Sequence, residues 1–205
     1  MICFGEFMKK LIMFDFDNTL LHLNIDWGDF EKQLYSLLTI NPKIIVQLDQ
    51  MTLPAKLNYL SNFQNLRSVT LLLQDKFESE CVTFDRYTLF PQIIQILLLA
   101  KKKGFRIAIV SANLTSTIKS ILLRIGLLAD VDLVVGRDTC AFTKPEKEPL
   151  VYVLNNLGVN PSEAVFIGDS INDEIASKFA NVDFICIDPF ASDLSKGKIK
   201  SILNL

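Results

Sequence analysis

The sequence predicts an α/β fold: a parallel sheet flanked by helices, with a small helical subdomain inserted after the first strand. Three observations predict it. Short apolar runs of strand length recur along the 205 residues. Helical patterns of ten or so residues separate them. One stretch of about 65 residues contains helical patterns and no confident strand.

The first run, Leu11–Phe14, ends in acids and reads as a buried parallel strand. Phe105–Val110, Ala164–Ile167 and Phe184–Ile187 share its character, and Leu133–Val135 is a shorter fifth. Pro91 stands where the first helical turn favours proline. Lys101–Lys103 and Gly104 close that helix as C-terminal cations and a cap, not as a phosphate site. Further helices are predicted over Ser116–Ile125, Glu148–Leu157 and Ile171–Ala180. Alternation of this kind implies right-handed crossovers. From Leu23 to Thr88 the alternation stops. Asp29–Leu38, Pro42–Met51 and Leu66–Cys81 read as amphipathic helices, and Pro54 as a turn.

Composition narrows the chemistry. Net charge is −2, with 21 Lys and Arg against 23 Asp and Glu, so no electrostatic footprint for nucleic acid or anionic membrane is expected. The single histidine, His22, is read as a linker residue, which disfavours Ser-His-Asp hydrolysis and His-rich zinc sites. The four cysteines are scattered and read as reduced thiols. No apolar run of signal-peptide length precedes Asp15, and no run reaches the roughly 18 residues of a membrane span. The expected compartment is the cytoplasm; Met8 offers an alternative start.

In open parallel sheets, ligands bind beyond the carboxyl ends of the strands. Asp15-Phe16-Asp17-Asn18-Thr19 follows the first strand, and Ser111-Ala112-Asn113 follows the second. Gly168-Asp169-Ser170-Ile171-Asn172-Asp173 follows Ala164–Ile167, and Lys144-Pro145 opens a helix between them. Acids, a hydroxyl and a lysine thus converge on one rim. Crowded carboxylates repel one another, and oxygen-only ligands suit Mg²⁺. One carboxylate can attack phosphorus, and a second, two residues on, can move the proton. Asp173 also fits a capping signal with Ser170.

These residues resemble the haloacid dehalogenase (HAD) superfamily of phosphohydrolases. FDFDNTL is similar to its first motif, VSAN to its second, KPEKEP to its third and GDSINDE to its fourth, in that order. LNIDW after the first motif, and TLFP before the helix at Pro91, are similar to phosphoglycolate-phosphatase-like members. The resemblance implies a Rossmann-like core over residues 1–22 and 89–205, with a helical cap over residues 23–88. It implies Asp15 as nucleophile and metal ligand, and Asp17 as general acid/base with its backbone carbonyl on the metal. Thr19 orients the loop and joins Ser111, Asn113 and Lys144 around the phosphate. Asp169 ligates Mg²⁺, with Asp173 close by through water.

Asn18 stands where many relatives have glycine, and asparagine tolerates the same left-handed conformation. Trp27 and Phe30 are expected to pack between cap and core, and no cap residue is singled out as a substrate contact. The expected activity is Mg²⁺-dependent hydrolysis of a small phosphorylated metabolite through an aspartyl-phosphate, by a monomer or homodimer. Two alternatives stand beside it. One is a phosphoryl-transferring mutase, similar to β-phosphoglucomutase; the other is a receiver-like phospho-binding module. Dehalogenation is disfavoured because Asp17 is present.

Overall fold

The structure is a computed structural model that describes residues 9–38, 46 and 48–188. Five parallel strands form the central sheet: β1 (Leu11–Phe14), β4 (Arg106–Val110), β5 (Leu133–Val135), β6 (Ala164–Gly168) and β7 (Asp183–Cys186). Their order across the sheet is β5-β4-β1-β6-β7. The chain therefore starts at the centre, builds one wing, then returns to build the other. This reversal opens a crevice at the carboxyl end of β1, between β4 and β6.

Residues alternate between the two faces of these strands, and each face has its own core. Ile12, Phe14, Ile107, Ile109, Val165 and Ile167 pack against α4 (Pro91–Lys102) and α5 (Thr115–Arg124) through Ile93, Leu97, Ile118 and Ile121. Leu11, Met13, Ala108, Val110 and Phe166 face the other way. They pack on α6 (Glu148–Leu157) and α7 (Ile171–Ala180) through Leu150, Val153 and Ala176. Burial on both faces explains why the strands read as continuous apolar runs.

The inserted segment carries α1 (Trp27–Leu37), α2 (Leu53–Ser61) and α3 (Gln64–Thr83). Phe30, Leu34, Leu57, Leu60, Leu73 and Phe77 form a third core separate from the sheet. Phe30 stands edge-on to both Trp27 and Phe77, with ring centroids 5.5 Å apart in each pair. Phe30 thus belongs to the core of the insertion, whereas Trp27 reaches the cavity described below.

Three expectations need correction. Pro54 marks no separate turn: it lies in the first turn of α2, where a missing N–H costs nothing. The segment leaves and returns through an antiparallel ribbon, β2 (Leu21–Leu23) with β3 (Tyr87–Leu89), which is too short to read from alternation. His22 sits in this ribbon opposite Thr88, and its Nδ1 lies 2.6 Å from the Asn18 Oδ1. Lys144-Pro145 does not open a helix, because α6 starts at Glu148 and Lys144 lies in the turn before it. The helix predicted over Pro42–Met51 lies largely outside the described residues, as do Met8 and Cys3.

Candidate active site

Strand register gathers the site. Phe14 pairs with Ile109 on one side and Ile167 on the other, so the chain past each strand emerges at one level. The ladder continues into the site: the Asp15 N–H donates to the Ile167 carbonyl, and the Ser111 N–H to the Val135 carbonyl. A cavity of about 280 Å³ opens there. Asp15, Asp17, Asn18, Ser111, Asn113, Lys144 and Asp169 line its floor, and Trp27, Leu53, Pro54, Leu57 and Gln74 form the opposite wall.

The loop after β1 folds back at once, with the N–H groups of Thr19, Leu20 and Leu21 converging on the Phe16 carbonyl. Asn18 takes the left-handed conformation expected of it, at φ 59°. This turn buries Thr19, whose hydroxyl lies 3.2 Å from Asp15 Oδ2 and 3.3 Å from Asp169 Oδ1. Thr19 is not among the cavity-lining residues, and its hydroxyl faces these carboxylates.

Lys144 is the cation at the centre. Its Nζ lies 2.6 Å from Asp15 Oδ1 and 2.5 Å from Asp173 Oδ1, and 5.2 Å from the centroid of the Phe166 ring. Asp173 is fully buried and also completes a capping box. Its Oδ2 accepts from the Ser170 N–H at 3.0 Å and from the Ser170 hydroxyl at 2.7 Å. Capping and service to the site coexist in this one side chain. Asp17 Oδ1 accepts the Leu23 N–H at 2.8 Å, which ties the second acid to the start of the insertion.

After β4, the Ser111 hydroxyl donates to Asn113 Oδ1 at 2.9 Å and accepts the Asn113 N–H. Asn113 Nδ2 then donates to Glu78 of α3. Glu78 is buried and also accepts the Leu114 N–H at 2.9 Å and the Gln74 carboxamide at 2.6 Å. Burial pushes its carboxyl above the usual range. Further bonds join the insertion to the core. The Asn58 carboxamide makes paired bonds with the Thr143 backbone, and Arg67 and Gln74 donate to the carbonyls of Cys140 and Ala112.

Sequence reasoning missed Glu78, Gln74 and Arg137. Their side chains point inward from positions where a charged or amide residue normally signals a solvated face, and the sequence carries no signal of this. Gly168 was read only as part of its motif. A Cβ there would come within 2.6 Å of Asp173 Oδ2, so its missing side chain is what lets Asp173 approach. Gly168→Ala is expected to cost about 2 kcal/mol by overpacking and to loosen Asp173 from Lys144. Thermal denaturation of the variant checks this as a lowered midpoint.

Oxygens of Asp15, Asp169 and Asp173 all lie within 4.8 Å of one another. Burial raises Asp15 to about 7 against the pull of Lys144, and Asp173 adds to the rise. Asp17 and Asp169 are raised to about 6, again mainly by burial. Acids this crowded, with oxygen-only donors and one lysine among them, fit a hard divalent cation.

Without a cation, folding takes up protons. These carboxyls hold protons in the fold at a pH where the unfolded chain has lost them. Stability of metal-free protein therefore falls as pH rises from about 4 to about 7, on the order of a few kcal/mol. Solvent screening trims the share of Asp169. Lys144, held above its ordinary value, stays charged throughout this window. Melting curves across that range, with and without a divalent salt, are expected to show the salt raising the midpoint most at the neutral end.

The comparisons with known proteins agree with this geometry. Residues 12–187 match the family haloacid dehalogenase-like hydrolase. A phosphoglycolate phosphatase of Psychrobacter arcticus is 30% identical over 85% of this chain and 81% of its own length. The pyrophosphatase PpaX of Bacillus velezensis is 36% identical over 45% of this chain and 43% of its own. A HAD-superfamily hydrolase structure from Ehrlichia chaffeensis shares the fold, with TM-score 0.62 at 23% identity, over 97% of this chain and 98% of that one. On the strength of the family match and the relatives' shared length, the chain belongs to the haloacid dehalogenase-like hydrolases, as an enzyme of their phosphatase class.

Proposed function

We propose that this enzyme is a Mg²⁺-dependent phosphatase acting on a small organic phosphate monoester, similar to phosphoglycolate phosphatase, through an aspartyl-phosphate on Asp15. One observation carries the reading. Asp15 faces the cavity with its carboxylate gripped by Lys144 and Thr19, and Asp17 stands two residues on with a carboxyl raised to about 6.

Asp15 attacks phosphorus, and the ester oxygen leaves with a proton from Asp17. A water molecule then gives its proton to Asp17 and attacks the acyl-phosphate, which releases inorganic phosphate and restores Asp15. A carboxyl near 6 suits both halves, since it can give and take a proton close to neutrality. Ser111 and Lys144 hold phosphoryl oxygens, and Asn113 shapes the Ser111 loop. Thr19 fixes Asp15 and Asp169 against each other. Asp15, the backbone carbonyl of Asp17 and Asp169 are the residues that hold the cation. Asp173, which meets Lys144 through Oδ1 and Ser170 through Oδ2, stands beside them as a further acid of the cluster. When bound, Mg²⁺ supplies positive charge to the transferring phosphoryl group.

The helices of residues 23–88 serve as the cap over a core of residues 1–22 and 89–205. The wall they present is largely apolar, which helps keep bulk water from the acyl-phosphate. The size of the cavity supports a small metabolite as substrate. The thiols of Cys81 and Cys140, buried and unbridged among the described residues, support the cytoplasm as compartment.

Purified protein is to be assayed on a panel of phosphate monoesters and pyrophosphate, with and without Mg²⁺. The expected result is Mg²⁺-dependent release of inorganic phosphate in step with the alcohol. Transfer to a second hydroxyl with no phosphate released would make it a mutase. A phosphorylated form stable for minutes, without turnover, would make it a receiver-like module.

A further inference from the structure

Arg137 has no part in the chemistry above, yet it lines the same cavity. It follows β5, and its N–H donates to the Asn113 carbonyl, so its backbone is tied to the Ser111 loop. The residue is only 4% exposed. Nη2 donates to the Ser61 hydroxyl at the end of α2, at 3.1 Å. Nη1 is buried and has no hydrogen-bond partner among the described residues.

The charged groups around it do not neutralise it. Arg67 of α3 is a second cation and adds repulsion; its own guanidinium donates to the Cys140 carbonyl. Among the described residues Glu78 is the one acid that acts on it, and both Glu78 oxygens are taken by Gln74, Asn113 and Leu114. Burial and Arg67 together bring the guanidinium down to about 10, so it remains charged at neutral pH. A buried guanidinium without a counter-charge is costly, and such a group persists where a ligand completes it. The missing partner is an anion.

The phosphoryl group of the substrate is already provided for by Lys144 and Ser111 on the floor. We propose that Arg137 receives a second acidic group of the substrate, a carboxylate or another phosphoryl group, so that the pocket selects phosphate monoesters bearing two acids. This inference rests on the reading of Asp15 as the phosphoryl acceptor. A guanidinium pairs with either kind of oxyanion, and Nη1 is the nitrogen left to do so.

The test uses phosphonates, which the enzyme cannot hydrolyse, titrated by calorimetry in the presence of Mg²⁺. 3-Phosphonopropionate carries a carboxylate, propane-1,3-diphosphonate a second phosphoryl group, and propylphosphonate neither. Wild-type protein is expected to bind at least one of the doubly acidic ligands about tenfold or more tightly than propylphosphonate. The preferred one tells which acid is read. In Arg137→Gln the preference is expected to collapse to near one, with Arg137→Lys in between.

No preference in the wild type, or a preference that survives in Arg137→Gln, would overturn the proposal. Should the Gln variant not fold, an undiminished preference in Arg137→Lys overturns it equally. The underlying phosphatase reading is judged separately, by Mg²⁺-dependent phosphate release from a panel of singly and doubly acidic phosphate monoesters in the wild type. Absence of release across the whole panel sinks the reading whatever the phosphonates do.

Discussion

Asp15→Asn is expected to abolish turnover while leaving the fold intact. The amide is a poor nucleophile toward phosphorus, and the substitution removes the group that would carry the acyl-phosphate. A fall of at least about 10⁴-fold in turnover is expected for losing a covalent nucleophile. The structure explains why folding survives. Lys144 keeps its second partner, Asp173, at 2.5 Å, and an amide oxygen still accepts from Thr19. One fewer buried acid also relieves repulsion in metal-free protein at neutral pH, so the melting midpoint there is expected to hold or rise. Phosphate release and a thermal melt on one preparation decide the matter. Residual activity above about 1% in clean protein would refute the nucleophile assignment.

Lys144→Met is expected to harm stability and activity together. Methionine keeps an apolar stem against Phe166 but removes the ammonium from between Asp15 and Asp173. Their side chains are 7% and 0% exposed, so neither charge can turn to water. Breaking a buried pair by removing one partner costs about 3–5 kcal/mol, here on the order of a 10 °C fall in melting midpoint. The sign of the pH dependence follows from the acids left behind. Without the lysine the folded value of Asp15, already about 7, rises further above that of the unfolded chain. The loss is therefore smallest near pH 5, where Asp15 is protonated with or without the lysine, and grows as pH rises through about 7 toward 9. Melts at both ends of that range check it. Equal destabilisation at both would mean the lysine acts through packing alone.

The contrast between these two residues and Arg137 shows what could be read in advance. Asp15, Ser111 and Asp169 were legible because polar residues directly follow buried apolar runs, and open sheets place ligands at strand ends; Lys144 was legible through KPEKEP, third of four motifs in order. The strands themselves were legible because helices cover both faces. Their ends shifted by a residue or so, as at Asp183–Cys186. Arg137 and Glu78 were not legible, since a charge in an amphipathic or loop setting reads as solvated. Only the docking of α2 and α3 on the loops after β4 and β5 buries them. Helix α2 was hidden by Pro54, because proline punctuates a sequence equally well as a turn or as a helix start. Asp173 was legible twice over, as a cap and as a site acid, and both readings describe the same carboxylate.

The ribbon of β2 and β3 brings Leu23 and Tyr87 face to face, as cross-strand partners. The whole helical excursion is therefore, in topological terms, an oversized hairpin turn. Its length and content can vary without changing strand order, provided that the bonds of Glu78 and Gln74 to the Ser111 loop are kept or replaced. Lineages sharing this scaffold can thus exchange the roof for one of different shape while the hydrolytic machinery below stays in place.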